Sequence, residues 1–181
     1  MKGFADFDLK EDFTYVSVSQ NVDVLLYLGL GTRDQMHLYR EVLKNPNIAA
    51  TSAQHRPYLL RMFKIFRDMI FNNSSIYNRV KWDLVHSGDK VAKWSSSRPT
   101  IQEDLSDGSI DLLLRLGLDD IQYAVVNRRI IKSPDSALGD AFLRKKFLDL
   151  FVKFRNLIVL DQYIFTRAKD WLQERPNLRV G

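Results

Sequence analysis

The stretch from Ser133 to Arg175 sets the strongest limit on how this chain can fold. After Gly139 it has no Gly or Pro until Pro176, and its apolar residues recur at helical spacing. Those residues are Leu143, Phe147, Phe151, Phe154, Ile158, Phe165, Ala168 and Leu172. One unbroken helix would be roughly 60 Å long, whereas a globule of this size is about 40 Å across. The apolar spacing has one gap, at Asp161-Gln162. The stretch must therefore protrude, bend, or form two helices.

Within this stretch, the segment Leu157-Ile158-Val159-Leu160 is apolar on every side. A helix that is apolar all round is normally enclosed by other elements. We therefore predict that the segment lies at the centre of the core. Pro134 and Asp135 are typical of a helix start, and Pro176 of a helix end.

The composition is that of an ordinary globular protein. The chain has 181 residues, of which 45% are hydrophobic and 12% aromatic, which is ample for a core. Its apolar runs are short, so we expect no membrane span. No apolar segment follows Met1-Lys2, which predicts no secretory signal peptide and a location in the cytoplasm or within a viral particle. The chain has no cysteine, which excludes disulfides and thiolate chemistry.

The net charge of +5 is unevenly distributed. Residues 1–122 carry 15 basic and 16 acidic side chains, whereas residues 123–181 carry 12 basic and 6 acidic ones. The excess positive charge therefore lies in the final third. Such a surface suits nucleic acid or an acidic partner, although a solvated helix face explains an excess of this size equally simply.

Residues 1–20 differ from the rest of the chain. Phe13 to Ser19 are aromatic and β-branched with alternation, which predicts a short strand. Ala5, Phe7 and Leu9 alternate with acidic residues and predict a weaker second strand. We therefore divide the chain into an N-terminal β arm, 1–20, and a helical domain, 21–181. A lone hairpin is marginal in water, so the arm must pack on helices or on another chain.

The helical domain is expected to contain several helices before the C-terminal stretch. The predicted helices begin near Val22, Thr32, Pro57 and Ser74, and the first of them ends at Gly29. The segment 95–99 is the most linker-like part of the chain. The predicted fold is mainly α: a multi-helix bundle around a long C-terminal helix, with a short N-terminal β arm or hairpin.

The sequence contains one internal match. Residues 22–30, VDVLLYLGL, resemble residues 110–118, IDLLLRLGL, and a glutamine follows each segment at nearly the same distance. A stable repeat array needs about three copies. We therefore attribute the match to shared helix-ending chemistry, in which Gly closes a helix and the next apolar residue folds back on it.

The segment around Gly117 also fits a helix-turn-helix. Gly117 would close the first helix and Asp119 would cap the second, which carries basic and amide side chains. The candidate nucleic-acid contacts are Gln122, Asn127, Arg128, Arg129, Arg144, Lys145 and Lys146. An αα-hairpin with a basic face would show the same pattern without any ligand.

No catalytic or metal-binding motif is visible. Asp107 to Asp111 resemble part of a calcium loop, but the third and twelfth positions of that loop would be leucines. The three histidines lack paired-ligand spacing, and no phosphate loop or nucleophile elbow occurs. We therefore predict no metal and no cofactor. The pattern favours a protein that is not an enzyme, with a dispersed active site as the remaining possibility.

These observations predict a non-catalytic structural or assembly component of a larger complex, with a viral or phage particle as one setting. It would act through a protein partner or by forming homo-oligomers. Its predicted interface lies in the arm, at Phe4, Phe7, Phe13 and Tyr15. The alternative function is helix-turn-helix binding of nucleic acid by the basic final third.

Overall fold

The helices follow the apolar spacing of the sequence through most of the chain. A computed structural model describes residues 17–30, 35–87, 106–119 and 121–175. These ranges are mainly helical, and no strand occurs within them. Described residues before Gly88 form α1 (Ser17–Leu25), a π-helical turn π1 (Leu26–Leu30), α2 (Met36–Lys44), α3 (Pro46–Ala50), α4 (Arg56–Asn72) and α5 (Ser74–Ser87). We call these described residues before Gly88 half 1.

Half 2 comprises the described residues from Ser106 onward. They form α6 (Asp107–Leu113), a second π-helical turn π2 (Leu114–Leu118), a 3-10 turn (Ile121–Tyr123), α7 (Ala124–Lys132), a 3-10 helix (Pro134–Gly139), α8 (Ala141–Leu160) and α9 (Gln162–Gln173). None of the helices in the described ranges is long and apolar enough to cross a membrane.

The core is centred on the contact between α4 and α8. The ring of Phe63 stacks on that of Phe147 with centroids 4.4 Å apart, and lies 5.4 Å from that of Phe154. Phe66 faces Phe151 at 5.9 Å. All five rings are completely buried, so the two long helices share the centre of the molecule.

The predicted N-terminal strand is wrong where the structure describes it. Ser17 to Ser19 belong to α1, so the predicted boundary between residues 20 and 21 falls inside a helix. Val22, Leu25 and Leu26 are all buried, at the i, i+3, i+4 spacing of a helix face. This face packs on α8 and α9, and tertiary burial of that kind overrides a local β preference.

The rest of the predicted β arm lies outside the described residues. This includes the four predicted interface residues, Phe4, Phe7, Phe13 and Tyr15. The linker-like segment 95–99 is outside them as well.

The C-terminal stretch forms two helices, one of the three outcomes allowed by its length. Asp161 separates α8 from α9, and its side chain caps α9 by accepting a hydrogen bond from the Ile164 amide at 3.0 Å. Pro134 begins a separate 3-10 helix, so α8 starts later than predicted, after Asp140. The prediction that residues 157–160 are fully enclosed is wrong at Leu160, which is 46% exposed beside the break.

The internal match extends far beyond the nine residues that first reveal it. When residues 21–87 are aligned on residues 109–175 without a gap, 21 of the 67 paired positions are identical. The secondary structure repeats at the same offset: both matched segments end in a π-helical turn, and Pro46 and Pro134 each open the next short helix. The two halves are therefore copies of one structural unit.

Equivalent residues in the two halves make the same local bonds. Arg40 pairs with Asp23 at 3.0 Å, and Arg128 pairs with Asp111 at 3.1 Å. Asn73 caps α5 through the Ile76 amide as Asp161 caps α9, each at 3.0 Å. Shared helix-ending chemistry does not account for this agreement, so our initial interpretation of the match is wrong.

Two equivalent arginines join the halves reciprocally. Arg67 Nη1 donates to the Ile131 carbonyl of half 2 at 3.2 Å, and Arg155 Nη1 donates to the Leu43 carbonyl of half 1 at 2.7 Å. Leu43 and Ile131 lie in the last turns of α2 and α7, where backbone carbonyls lack partners within the helix. Each half therefore caps a helix of the other, as in an approximate two-fold arrangement.

Truncation of the central rings should strongly destabilise the protein. We expect Phe151→Ala and Phe154→Ala each to lower the free energy of unfolding by about 3–5 kcal/mol, because both rings are fully buried. Urea unfolding measures this change. Phe142→Ala is the control, since that ring is about half exposed and should give a much smaller loss. Unchanged midpoints for both core variants would contradict the proposed centre of the core.

The reciprocal caps should contribute unequally. Burial lowers the pKa of Arg155 to about 10, so its guanidinium is charged at neutral pH and donates a charge-assisted bond. Arg155→Met should cost about 1.5–3 kcal/mol in unfolding free energy. Arg67→Met should cost less, because its bond to the opposite half is longer. Arg129→Met, at an exposed cation, is the control. A larger loss for Arg67→Met than for Arg155→Met would contradict this order.

Candidate binding surfaces

Three of the predicted nucleic-acid residues are exposed. Gln122 lies in the 3-10 turn before α7, Arg129 lies on α7, and Lys145 lies on α8. Their side chains face solvent and can reach a ligand. Binding of nucleic acid through them stays a prediction.

The other four predicted residues are engaged within the protein. Arg128 donates to both oxygens of Asp111, at 3.1 and 3.2 Å. Arg144 donates to the Leu138 carbonyl at 3.3 Å, and the buried Lys146 ammonium lies 4.2 Å from the centre of the Tyr123 ring. Asn127 is completely buried, so its side chain reaches no base in this conformation.

The helix–glycine–helix segment is a structural element of both halves. In half 1 the positions equivalent to Asn127, Arg128 and Arg129 hold Tyr39, Arg40 and Glu41. The Arg144 bond to the Leu138 carbonyl also recurs, as Arg56 to the Ala50 carbonyl at 2.8 Å. Recurrence with different surface residues indicates that this geometry serves the fold, as an αα-hairpin does.

Half 2 carries an exposed apolar patch, which we define as Ile121, Tyr123, Val125 and Phe142. Ile121, Val125 and Phe142 are 51%, 66% and 48% exposed. The Tyr123 and Phe142 rings meet edge to face with centroids 5.9 Å apart, and Ile121 and Val125 lie four residues apart on adjoining helical turns. The patch therefore joins the start of α7 to the start of α8.

Cations border the apolar patch. Arg129 lies one turn beyond Val125 on α7, and Lys145 lies one turn beyond Phe142 on α8; both side chains are exposed. A contiguous apolar surface with a polar rim is typical of a protein interaction site. Its charge favours an acidic partner.

The fold does not require the apolar patch. In half 1 the positions equivalent to Ile121, Tyr123, Val125 and Phe142 are all polar: Arg33, Gln35, His37 and Gln54. His37 and Gln54 are exposed, as Val125 and Phe142 are. The patch is thus a difference between two copies of one unit, which separates it from the residues that stabilise both.

A cavity of about 430 Å³ lies between α5, π2 and the end of α8. Its apolar walls come from Leu84, Leu118, Leu157 and Leu160. Its polar lining residues are Asp83, Lys153, Asn156 and Asp161. A volume of this size is within the range of ligand sites, about 300–1,000 Å³.

The two carboxylates at the cavity share one arginine. Arg79 bridges them, with Nε 3.1 Å from Asp83 and Nη2 3.1 Å from Asp161. Desolvation by burial raises the pKa of Asp83, and its hydrogen bond to Asp161 and the negative charge of Asp161 raise it further. Asp83 therefore keeps its proton to a higher pH than an isolated aspartate does.

Aromatic side chains pack around Arg79, which bridges the two carboxylates. The Arg79 guanidinium lies 5.3 Å from the ring centres of both Trp82 and Tyr163, and His86 stacks on Trp82. Hydrogen bonding to Arg167 lowers the pKa of the Tyr163 hydroxyl.

Neither the apolar patch nor the cavity was predicted from the sequence. Single exposed apolar residues have no signature of their own, and a cavity depends on packing between distant helices. The alignment of the two halves would have pointed to both. In that alignment, the apolar residues of the patch are paired with polar residues of half 1, and Trp82-Asp83 at the cavity is paired with Asp170-Trp171.

Within residues 17–30, 35–87, 106–119 and 121–175, no group of three or more histidine or acidic side chains lies close enough to hold a metal ion. No family model, curated protein or solved structure matches this chain. The functional proposals therefore rest on the geometry of the apolar patch and of the cavity.

The raised pKa of Asp83 should make stability depend on pH. Because the folded pKa of Asp83 is raised above 3.8, the folded state binds more protons than the unfolded state just above pH 3.8. The free energy of unfolding therefore falls as pH rises through the folded pKa. The variant Asp83→Asn cannot titrate at this position and does not lose this stability. The free energy of unfolding of Asp83→Asn minus that of wild type should therefore increase as pH rises from 3.8 through the folded pKa of Asp83.

Urea unfolding at a series of pH values measures this effect. Asp170→Asn, at an exposed carboxylate on α9, controls for removal of a charge. A constant difference between Asp83→Asn and wild type across the interval would show that Asp83 does not titrate abnormally.

Proposed function

We propose that this protein is a non-catalytic assembly component that binds an acidic, aromatic polypeptide segment at the apolar patch. The observation that carries the proposal is the patch itself: exposed apolar side chains on half 2 where half 1 has polar ones. Burying such side chains against a partner is favourable by about 25 cal/mol per Å² of apolar surface.

The proposed occupant is residues 1–16 of a second copy of the chain. This segment contains four aromatic residues, Phe4, Phe7, Phe13 and Tyr15. It also carries four acidic and two basic side chains. Its aromatic and acidic character complements a patch bordered by Arg129 and Lys145. Self-association through this contact makes the protein a building block of a homo-oligomer.

Nucleic-acid binding is the second candidate function. The exposure of Gln122, Arg129 and Lys145 supports it, and all three lie beside the apolar patch. Electrostatic binding to DNA weakens steeply with salt, whereas burial of apolar surface does not. Sedimentation at low and high salt, with and without duplex DNA, therefore separates the two functions.

Charge placed in the patch should abolish association. We expect Val125→Glu and Phe142→Glu to sediment as monomers under conditions where wild type associates, because the added carboxylate would lose water in an apolar contact and repel the acidic segment. The melting temperature should change little, since both side chains are about half exposed or more. Sedimentation velocity and thermal unfolding provide the two measurements.

Ile48→Glu is the matched control, because Ile48 is equally exposed but lies on α3 of half 1. Deletion of residues 2–16 should have the same effect as the patch variants, and a peptide of residues 1–16 should bind the deleted protein. A wild-type protein that stays monomeric and does not bind the peptide would overturn self-association. Binding of DNA alone, lost on Arg129→Ala, would favour the second function.

A further inference from the structure

The geometry points to the cavity between α5, π2 and α8 as a receptor for a tryptophan side chain of a partner protein. This site is separate from the apolar patch, so either proposal can fail without the other. The internal repeat supports this assignment, because half 2 carries a buried tryptophan at the position equivalent to Asp83.

Half 2 has a tryptophan of its own at the equivalent position of the sequence. Asp83 corresponds to Trp171, and Trp82 corresponds to Asp170. Trp171 is 4% exposed and Asp170 is exposed, whereas in half 1 Trp82 is 53% exposed and Asp83 lines the cavity. The order of the two residues is inverted, so an indole is buried in half 2 and a hollow is left in half 1.

The walls of the cavity suit an indole. Leu84, Leu118, Leu157 and Leu160 provide apolar surface on several sides, and the volume of about 430 Å³ exceeds that of a tryptophan side chain. Leu84 corresponds to the buried Leu172, which neighbours Trp171 in half 2. Buried tryptophan side chains are also among the strongest anchors of protein interfaces.

The polar groups of the cavity are compatible with an indole. The carboxylates of Asp83 and Asp161 already accept bonds from Arg79, and Asp161 also accepts one from the Ile164 amide. A carboxylate has room for further donors, and the indole N–H is a donor only. Among the described residues the buried Trp171 Nε1 of half 2 has no hydrogen-bond partner. A tryptophan side chain in the cavity thus offers both a ring for the apolar walls and a donor that the carboxylates can accept.

N-acetyltryptophanamide is the probe, titrated to millimolar concentration and followed by amide chemical shifts. We expect saturable shifts at Leu84, Gly117 and Leu118. N-acetylleucinamide should give none. The analogue methylated on the indole nitrogen should bind about fivefold more weakly, because one hydrogen bond is lost.

Filling the cavity should block the probe. Asp83→Trp restores the residue found at the equivalent position of half 2, and Leu157→Trp fills the cavity from α8, in case the first variant does not fold. Both should lose the shifts, whereas Ile48→Trp, which adds an exposed indole on α3, should keep them.

Three results would overturn the proposal: no saturable shift in wild type, equal binding by the methylated analogue, or equal binding by a folded variant with the cavity filled. Binding that appears only in Trp94→Ala would also overturn it, because it would mean that the chain's own tryptophan occupies the cavity in place of a partner's.

Discussion

The exchange of arginine caps is the interaction that ties the two copies of the unit to each other. Arg67 and Arg155 each donate to a backbone carbonyl at a helix end of the other half. A helix end buried without a partner is costly, so neither half completes its own backbone hydrogen bonding. The same two helices, α4 and α8, carry both the arginines and the buried rings, so one pair of helices provides the aromatic centre and the polar exchange.

Periodicity predicted the helices well because it records burial directly. The stripe from Leu59 to Ile70 on α4 is buried as its spacing indicates. Periodicity failed at Ser17 to Ser19, where a short β-branched run favoured a strand and packing against α8 and α9 produced a helix. It also placed Leu160 inside, because composition does not reveal where Asp161 ends the helix and exposes its last residue.

The candidate sites were harder to predict, because each depends on a contrast between two parts of the chain. A basic residue such as Arg128 has the same appearance in sequence whether it meets a phosphate or, as here, Asp111. The recurrence of that pair as Arg40 and Asp23 assigns it to the fold. The two halves share these bonds but differ at the apolar patch and at the cavity. The functional proposals rest on these two differences.

The reciprocal caps also bear on the history of the chain. A polypeptide carrying one copy of the unit would have one such arginine and one such helix end, and a second molecule would be needed to satisfy both. Two identical molecules meeting this way make an isologous dimer, in which each residue of one contact is matched in the other. Covalent joining makes formation of that contact independent of concentration. It also frees each copy to change alone, so one could keep its tryptophan inside while the other turned it outward.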